Sequence, residues 1–395
     1  METSIAELVR KMETDDQIGE TKSSKYVSNS MRESVEKTEA YLNSKHTSGE
    51  TDSQGREKPF FNIVIAARNI WFRATDIDRK NISITANNDK QVIPAFLATL
   101  KLQEWMKRVK FGKFLNDWGL SLASHGSSVL KFVEKNGQMD CQVVDWNNLL
   151  CDAVDFEGNP KVQRLWFTPA QLRKNKSYDQ KFVKELLNSL STRETSDGQK
   201  KDNKADYIPV FEIHGELPLS YLTGKDTDEE EYVQQMHVVS FVKSKDGEFD
   251  DYTLFSGREK QDPYLITHLL KKDGQTYSGG AVMNLFEAQW MTNHSVKQIR
   301  DHLDLASKII HQTSDTNLAG KNILTNIQDG QILLTAQNQP ITRLNNSPDI
   351  VAMQSFKADW QNIGNQINGI AESMIQQAKS GTAWRQTQAE LQEAH

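Results

Sequence analysis

The sequence predicts an α+β fold, and three features carry that prediction. A helical pattern of apolar residues, with spacings of three and four, covers residues 96–122 after Pro94. Short alternating or β-branched runs follow, to about residue 277. From residue 278 onward, two long helical patterns flank a short β-like segment. Helices and strands that are grouped along the chain, without regular alternation, are typical of α+β proteins.

The length and composition indicate a globular protein with two or three domains. Of its 395 residues, 37% are hydrophobic and 25% charged, a balance that excludes a disordered chain. The net charge of −6 excludes the strongly basic composition that is typical of proteins that bind DNA tightly without sequence preference. Neither a signal peptide nor an apolar run of about 18 residues is found, so we expect no membrane partner. Cys141 and Cys151 are expected to be two buried thiols in a reduced compartment.

The region 1–277 is expected to be a mixed α+β unit with two polar insertions. Residues 43–58 and 191–204 contain almost nothing to bury, so both are predicted to be loops or disordered insertions. Residues 96–122 are predicted to form one or two buried helices that end at Gly126. The predicted strands are 129–133 and 141–144, joined in a hairpin by Asn136-Gly137, and then 162–167, 209–214, 236–242 and 252–255.

The region 278–378 is predicted to contain a helix, a small β module and a second helix. Their expected ranges are 278–312, 313–348 and 349–378. The apolar positions of the second helix alternate in spacing between three and four, as in a heptad seam: Met353, Phe356, Trp360, Ile363, Ile367, Ile370 and Met374. Two helices of about thirty residues would each extend ~45 Å, so they need a packing partner, and neighbouring copies of the chain are natural candidates.

The sequence carries no recognisable catalytic motif, so we expect no enzymatic activity, no cofactor and no bound metal. Gly279-Gly280 before the first long helix is interpreted as a flexible helix entry rather than a phosphate site. One enzymatic alternative stays open, a nucleic-acid enzyme in which Asp145, Asp152 and Asp155 hold a divalent metal near a strand end. Aspartates are also common in turns, which is the simpler interpretation of these three residues.

The second long helical pattern is followed by a short motif, Ser380-Gly381-Thr382-Ala383. This motif and the order of the predicted elements resemble the portal protein family of tailed bacteriophages, in which a Ser-Gly-x-Ala element follows the second stem helix. Gln289 and Asn293 lie in a run similar to the family's first stem helix. Segments similar to the family's wing region are 120–131, 144–146 and 212–218. The resemblance covers roughly residues 95–395.

The resemblance implies a portal-like fold of five parts. These are a wing region (1–277), a first stem helix (278–312), a clip module (313–348), a second stem helix (349–378), and a channel loop with the start of a wing helix (379–395). The chain stops at His395, so we expect the family's helical crown to be absent and the last wing helix to be truncated.

The same resemblance implies a function that needs no active site. The chain would form a ring, a dodecamer in the family, at one vertex of the capsid, and double-stranded DNA would be packaged through the ring and later ejected. Its partners would be copies of itself, the large terminase subunit, the major capsid or scaffold protein and a head-tail adaptor protein, in a virion assembled in the host cytoplasm. Residues 279–395 contain eight Lys and Arg against ten Asp and Glu, and such a nearly neutral surface would let DNA slide.

Two groups of residues would carry this function. Lys379 and Arg385 flank the Ser-Gly-Thr-Ala motif and are the expected DNA-facing cations of the channel loop, with ordinary helix-end charges as the alternative. The expected contact between subunits involves four residues of the second stem helix: Trp360, Ile363, Ile367 and Ile370. A heptad stripe packs equally well inside one chain, so intrachain packing stays open. Another virion scaffold or connector protein, with long helices but no channel, is the alternative function.

Overall fold

The computed structural model describes residues 4–18, 31–53, 55–75, 77, 79–135, 137–191, 207–224, 231–243, 249–306, 311–314, 316, 337–343 and 350–369. The fold is mixed α+β, as predicted. The helices are α1 Ile5–Ile18, α2 Met31–Leu42, α3 Val64–Ala74, α4 Val92–Arg108, α5 Phe111–His125, α6 Pro169–Lys174, α7 Gln180–Ser191, α8 Ser220–Thr223, α9 Ala281–Asn284, α10 Phe286–Ala306 and α11 Ile350–Ile367. The strands are β1 Ser127–Lys135, β2 Gln138–Val144, β3 Leu149–Leu150, β4 Lys161–Phe167, β5 Ile208–Pro218, β6 Tyr232–Lys243, β7 Phe249–Arg258, β8 Tyr264–His268, β9 His311–Gln312 and β10 Thr342–Arg343.

The largest sheet is antiparallel, with the strand order β3-β4-β5-β6-β7. Successive residues of a strand point to opposite faces, and β5 uses both faces for apolar packing. Phe211 and Ile213 pack in one buried cluster with Val9 of α1. Val210 lies in a second buried cluster with Leu186 of α7. The sheet is therefore covered by helices on both sides, which explains why β5 is almost continuously buried.

The predicted hairpin at Asn136-Gly137 is confirmed. Strands β1 and β2 pair antiparallel from Val129–Val144 to Lys135–Gln138, which leaves two residues for the loop. Gly137 has a φ of 72°, a left-handed conformation that two-residue hairpin loops require and that glycine adopts without strain. Strand β8 pairs with the other edge of β1 and completes a three-stranded sheet.

A buried charged network, which was not predicted from the sequence, joins the two larger sheets. The Lys131 ammonium of β1 lies 2.9 Å from Glu212 of β5, and the same Glu212 oxygen lies 2.9 Å from His214 Nε2. The other ring nitrogen of His214 lies 2.8 Å from Glu259. Burial raises the pKa of Glu212, but His214 and Lys131 outweigh burial and lower this pKa to about 2. Burial lowers the pKa of His214, but hydrogen bonds to the two glutamates outweigh burial and raise it above its ordinary value.

The predicted helical stretch after Pro94 forms two helices, but its predicted burial is wrong for the first of them. Lys110 adopts a left-handed conformation with φ 54° and separates α4 from α5, and Gly126 ends α5 as predicted. Among the residues of α4, only Met106 is buried. The last turns of α4 contact the rest of the chain, for example through the Trp105 indole N–H, which donates to the Met139 carbonyl. The first three turns expose a row of apolar side chains.

The helical hairpin predicted in the C-terminal region is present with shorter helices. Helices α10 and α11 pack against each other, and the two-residue strands β9 and β10 pair antiparallel between them. The first helical segment begins at Ala281, is interrupted at Leu285 and ends at Ala306. His311, which was predicted to belong to this helix, lies in strand β9. The second helix begins at Ile350 and ends at Ile367. Most of the predicted β module, including its Gly330 turn, lies outside the described residues.

The polar tract 43–58 is a loop, as predicted, but electrostatic contacts hold it on the helical hairpin. Its described part contains a β-bridge between Thr51 and Glu57. Arg56 pairs with Asp52 at 3.0 Å in the loop and with Asp301 at 2.8 Å on α10. Polar composition alone suggested disorder because it does not reveal partners that are distant in sequence. Of the second predicted insertion, 191–204, only Ser191 at the end of α7 is described.

Candidate functional site

The helical hairpin leaves the α+β part of the chain at a point where two backbones touch. Gly126, with a φ of 70°, lies against Gly279 and Gly280, which precede α9. A Cβ on Gly126 would come 1.8 Å from the Gly279 carbonyl oxygen, and one on Gly280 would come 2.6 Å from the Gly126 nitrogen. The hydroxyls of Ser127 and Ser278 bridge the same contact at 2.7 Å. Both glycines before α9 are buried, which argues against the interpretation of a flexible helix entry. Gly280 packs against the backbone of Gly126, and Gly279 has a left-handed φ of 74°.

Two buried side-chain amides of α10 form hydrogen bonds with the backbone of the segment that precedes α3. The Gln289 side chain accepts a hydrogen bond from the Ile63 N–H at 2.9 Å and donates one to the Phe61 carbonyl at 2.7 Å. The Asn293 oxygen accepts from the Phe61 N–H at 2.9 Å and from the Gln289 amide at 3.0 Å. We call Gln289 and Asn293 the amide clamp. It fixes the start of α3 to the hairpin and satisfies backbone groups that would otherwise be unpaired.

Gly364 of α11 lies where this helix packs against the start of the first long helix. A Cβ on Gly364 would come 2.9 Å from Leu285 Cδ2 and 3.1 Å from Ala288 Cβ. Both distances are tighter than ordinary van der Waals contact, so a larger residue would require Leu285 and Ala288 to shift. Glycine therefore permits a close approach of the two helices at this point.

The end of α11 is anchored by Asn368, which is 6% exposed. Its side-chain amide donates to the Ala281 carbonyl at 3.2 Å, and its own carbonyl accepts from the Trp71 indole at 3.2 Å. Gly369 follows with a φ of 64°, the left-handed conformation in which helices commonly end. These contacts account for the end of the helix at Ile367, where the sequence pattern predicted continuation to residue 378.

The predicted heptad seam of α11 divides into two parts. Trp360 is half-buried and packs within the chain against the cluster that contains Leu285 and Ala288. Ile363 and Ile367 are 41% and 56% exposed. Phe356, 44% exposed, lies on the same side of the helix as these two isoleucines because they follow it by seven and eleven residues. We call Phe356, Ile363 and Ile367 the open seam, since the described part of the chain leaves 41–56% of each residue exposed.

Several predicted site residues lie outside the described residues. They are Ile370, Lys379, the motif Ser380-Gly381-Thr382-Ala383, and Arg385. Their predicted roles, in the subunit contact and in the channel loop, therefore remain predictions. Of the predicted subunit contact, the structure brings Trp360, Ile363 and Ile367 onto one helix and leaves the two isoleucines open.

The three aspartates of the enzymatic alternative serve local backbone geometry. The Asp145 carboxylate accepts from the Asn147 N–H at 2.9 Å and caps a short turn. One Asp152 oxygen accepts from the N–H groups of Val154 and Asp155, both at 2.8 Å, and Asp155 accepts from the Gly158 N–H at 3.0 Å. Within the described ranges, no three His, Cys, Asp or Glu side chains come together as metal ligands. The turn interpretation of these aspartates is the one that the hydrogen bonds support.

A pocket of about 240 Å³ opens beside the amide clamp. The Trp290 ring stacks on His294 at its rim, with 5.4 Å between the ring centroids, and His46, Lys58 and Lys297 contribute cationic or titratable groups. The Lys58 ammonium is already engaged by backbone carbonyls, including that of Gly49 at 2.8 Å. The residues that line the pocket include no carboxylate, so the arrangement does not suit Mg²⁺ or Ca²⁺.

The two cysteines lie apart from the helical hairpin, and both are free thiols. Cys141 and Cys151 are half-buried, which is less than the full burial predicted. Burial raises the pKa of both thiols, to about 12 in the case of Cys151. Thiols that stay protonated at neutral pH are poor nucleophiles.

Comparison with known proteins adds no family assignment. No protein family matches the chain, and no curated protein is significantly similar to it. Among the helices in the described part of the chain, none has the length and apolarity needed to cross a membrane.

Proposed function

We propose that the chain is a subunit of a portal-like ring, a structural DNA conduit in which the helical hairpin forms the stem. The observation that carries the proposal is the open seam. It lies on a hairpin that is fixed to the α+β part at Gly126, at the amide clamp and at Asn368. A rigid helix with an uncovered apolar row is suited to packing against another copy.

The order of elements supports the same proposal. A region of helices and antiparallel sheets precedes two packed helices, and a short strand pair, β9 with β10, lies between those helices in the sequence, an order similar to the wing, stem and clip of the portal family. Covering each open-seam side chain would contribute on the order of 1 kcal/mol per subunit contact, because about half of each side chain is still exposed. A ring repeats this contribution at every interface.

The proposed ring acts through its place in the virion and through the nearly neutral charge of the hairpin surface. It would stand at a capsid vertex of the virion, pass double-stranded DNA that a terminase drives, and bind capsid or scaffold and adaptor proteins. The hairpin is rich in amides, and residues 279–395 have eight basic against ten acidic side chains, so phosphate contacts would be few and weak. DNA could then move through the ring without being retained along its path.

The assembly function is tested by a single charge on the open seam. Ile363→Asp places a carboxylate on a partly exposed apolar position, so it should dissociate the ring while leaving the monomer folded. Asn362→Asp is the matched control, since Asn362 is the exposed neighbour on another side of the same helix. Sedimentation velocity and circular dichroism of the full chain would follow assembly and folding. Rings that persist in Ile363→Asp, or that are lost equally in the control, would contradict the role of the seam.

The DNA function is tested at the predicted channel loop. Neutralising Lys379 and Arg385 together, each to Gln, should weaken the retention of packaged DNA without preventing ring assembly, because two cationic contacts per subunit are removed. Lys271→Gln with Lys272→Gln is the control pair, since both lysines are exposed in a loop of the α+β part. Equal DNA retention in the two double variants would refute a DNA-contacting role for Lys379 and Arg385.

A further inference from the structure

The pocket beside the amide clamp lies between one side of α10 and the polar tract 43–58. Four residues of α10 line it, at relative positions of zero, three, four and seven that share one side of a helix: Trp290, Asn293, His294 and Lys297. The other wall consists of Tyr41 and of residues 46–48 and 58–59. The ion pair between Arg56 and Asp301 holds the tract against α10. A single chain therefore builds both walls of the pocket.

The pocket contains positive charge that no described carboxylate neutralises. The Lys58 ammonium donates to the hydroxyl and carbonyl oxygens of Ser48 and to the Gly49 carbonyl, at 2.8–3.3 Å, and all three acceptors are neutral. Within the described ranges, the Lys297 ammonium forms neither an ion pair nor a hydrogen bond. Two ammonium groups in a pocket without a lining carboxylate favour an anionic ligand.

Two further polar groups of the lining lack partners in the part of the chain that the structure describes. His46 Nε2 is buried and forms no hydrogen bond. Such atoms are rare in folded proteins, because burial deprives them of their hydrogen bonds with water. The Asn293 oxygen accepts two hydrogen bonds within the amide clamp, whereas its amide nitrogen donates none to a described residue. These groups and the two lysines can donate to an oxyanion together.

The α10 wall also carries an aromatic surface at a distance from its charge. The Trp290 ring stacks on His294 with an angle of 5° between the ring planes, and 53% of Trp290 is exposed. Trp290 precedes Lys297 by seven residues, which is ~10 Å along the helix. A phosphate, a sugar and a base together cover a span of that order. Exposed aromatic rings are suited to stacking on nucleobases, because every base has a π face.

We infer that the pocket binds a nucleoside monophosphate unit, with the phosphate beside Lys297 and Lys58 and the base on Trp290. The volume of about 240 Å³ is small for a ligand site, which suits one nucleotide better than a larger cofactor. A free nucleotide and the phosphorylated end of a single nucleic-acid strand both present this chemistry. The inference does not depend on the proposed ring, since one chain forms the pocket.

Isothermal titration calorimetry of the full chain with AMP, adenosine and inorganic phosphate tests the inference. AMP should bind more tightly than either of the other two probes, because only AMP reaches both the lysines and Trp290. Lys297→Gln should weaken AMP binding at least about tenfold. Trp290→Leu should weaken it about tenfold and leave the binding of inorganic phosphate unchanged.

Matched controls exist for both variants. Lys184→Gln removes an exposed lysine of another helix, α7, and Trp166→Leu removes a tryptophan that is 50% exposed, close to the 53% of Trp290. Both controls should bind AMP as the unmodified chain does. Circular dichroism should be the same for all four variants.

Three results would overturn the inference: no AMP binding at millimolar concentration, equal affinity for AMP and inorganic phosphate, or equal losses in a variant and its control. Displacement of AMP by a short single-stranded oligonucleotide with a 5′-phosphate would support the site and identify a strand end as its ligand. AMP binding that this oligonucleotide does not displace would support the site with a free nucleotide. Rings that do not bind AMP would overturn this inference alone, and a monomer that binds AMP would overturn only the ring.

Discussion

Trp360 and Ile363 lie three residues apart on α11, yet Trp360 packs within the chain and Ile363 is 41% exposed. A stripe with spacings of three and four is wide enough for its two edges to have different environments. One edge holds the helical hairpin together, and the other edge is exposed. The seam therefore has an intrachain part and an open part, and assembly can be tested at the open part without destroying the hairpin.

The helix crossing at Gly364 should not accept a larger residue. Gly364→Val would force a branched side chain against Leu285 Cδ2 and Ala288 Cβ, and such overpacking typically costs about 1–3 kcal/mol. Ala358→Val is the control, since Ala358 is exposed on the same helix, and helix propensity alone would make this control the more destabilising of the two substitutions. Urea unfolding would measure both variants, and equal losses of unfolding free energy would show that the crossing is not close.

Removing one side chain of the amide clamp should destabilise the fold, because two backbone groups lose their hydrogen-bond partners at once. Gln289→Leu would leave the Ile63 N–H and the Phe61 carbonyl without their partners, and each unpaired buried group costs about 1–3 kcal/mol. Gln298→Leu, at an exposed position of the same helix, should change the unfolding free energy little. Hydrogen exchange should report faster exchange of the Ile63 amide in Gln289→Leu only. Unchanged protection of that amide would contradict the clamp.

Mild acid should weaken the five-stranded sheet through His237. Its side chain is fully buried between Gln235 and Ser256, and burial lowers its pKa to about 4. Because the folded-state pKa lies below the unfolded value of about 6.5, its contribution is fully present above pH 6.5 and is lost as the pH falls toward 4. The loss should be on the order of 2–3 kcal/mol. His237→Gln should remove this part of the pH dependence, so parallel stability curves for the two proteins between pH 7 and 4 would refute the role of His237.

The parts of the fold that could be predicted from the sequence are those that local chemistry determines. Asn136-Gly137 specifies its own turn, and the long periodic stretches specify helices. What could not be predicted depends on contacts between distant segments. Gly280 is explained by its close approach to the backbone of Gly126 and Ser124, and the burial of Lys131 and Glu212 depends on their contact with each other. The apolar side chains on the first three turns of α4 were predicted to be buried but are exposed, because a pattern of apolar residues in a sequence does not reveal which of them are covered inside the chain.

Of the candidate site, the sequence predicted the second helix and its apolar row, and the structure divides that row into a packed and an open part. The amide clamp was not predicted from the sequence. The sequence indicated only that Gln289 and Asn293 lie in a run similar to a stem helix of the portal family. A pair of amides four residues apart on an otherwise apolar helix face is the signal that could have indicated a buried polar contact. The end of α11 was missed because Asn368 is fixed by Ala281 and Trp71, both distant in sequence.

The central claim is that copies of this chain form a closed ring with a channel. Negative-stain electron microscopy of the purified full chain, combined with native mass spectrometry of the same sample, measures this most directly. We predict rings of about a dozen copies with a central hole wide enough for a DNA duplex. Compact dimers or open filaments, formed by a chain that is folded by circular dichroism, would contradict it.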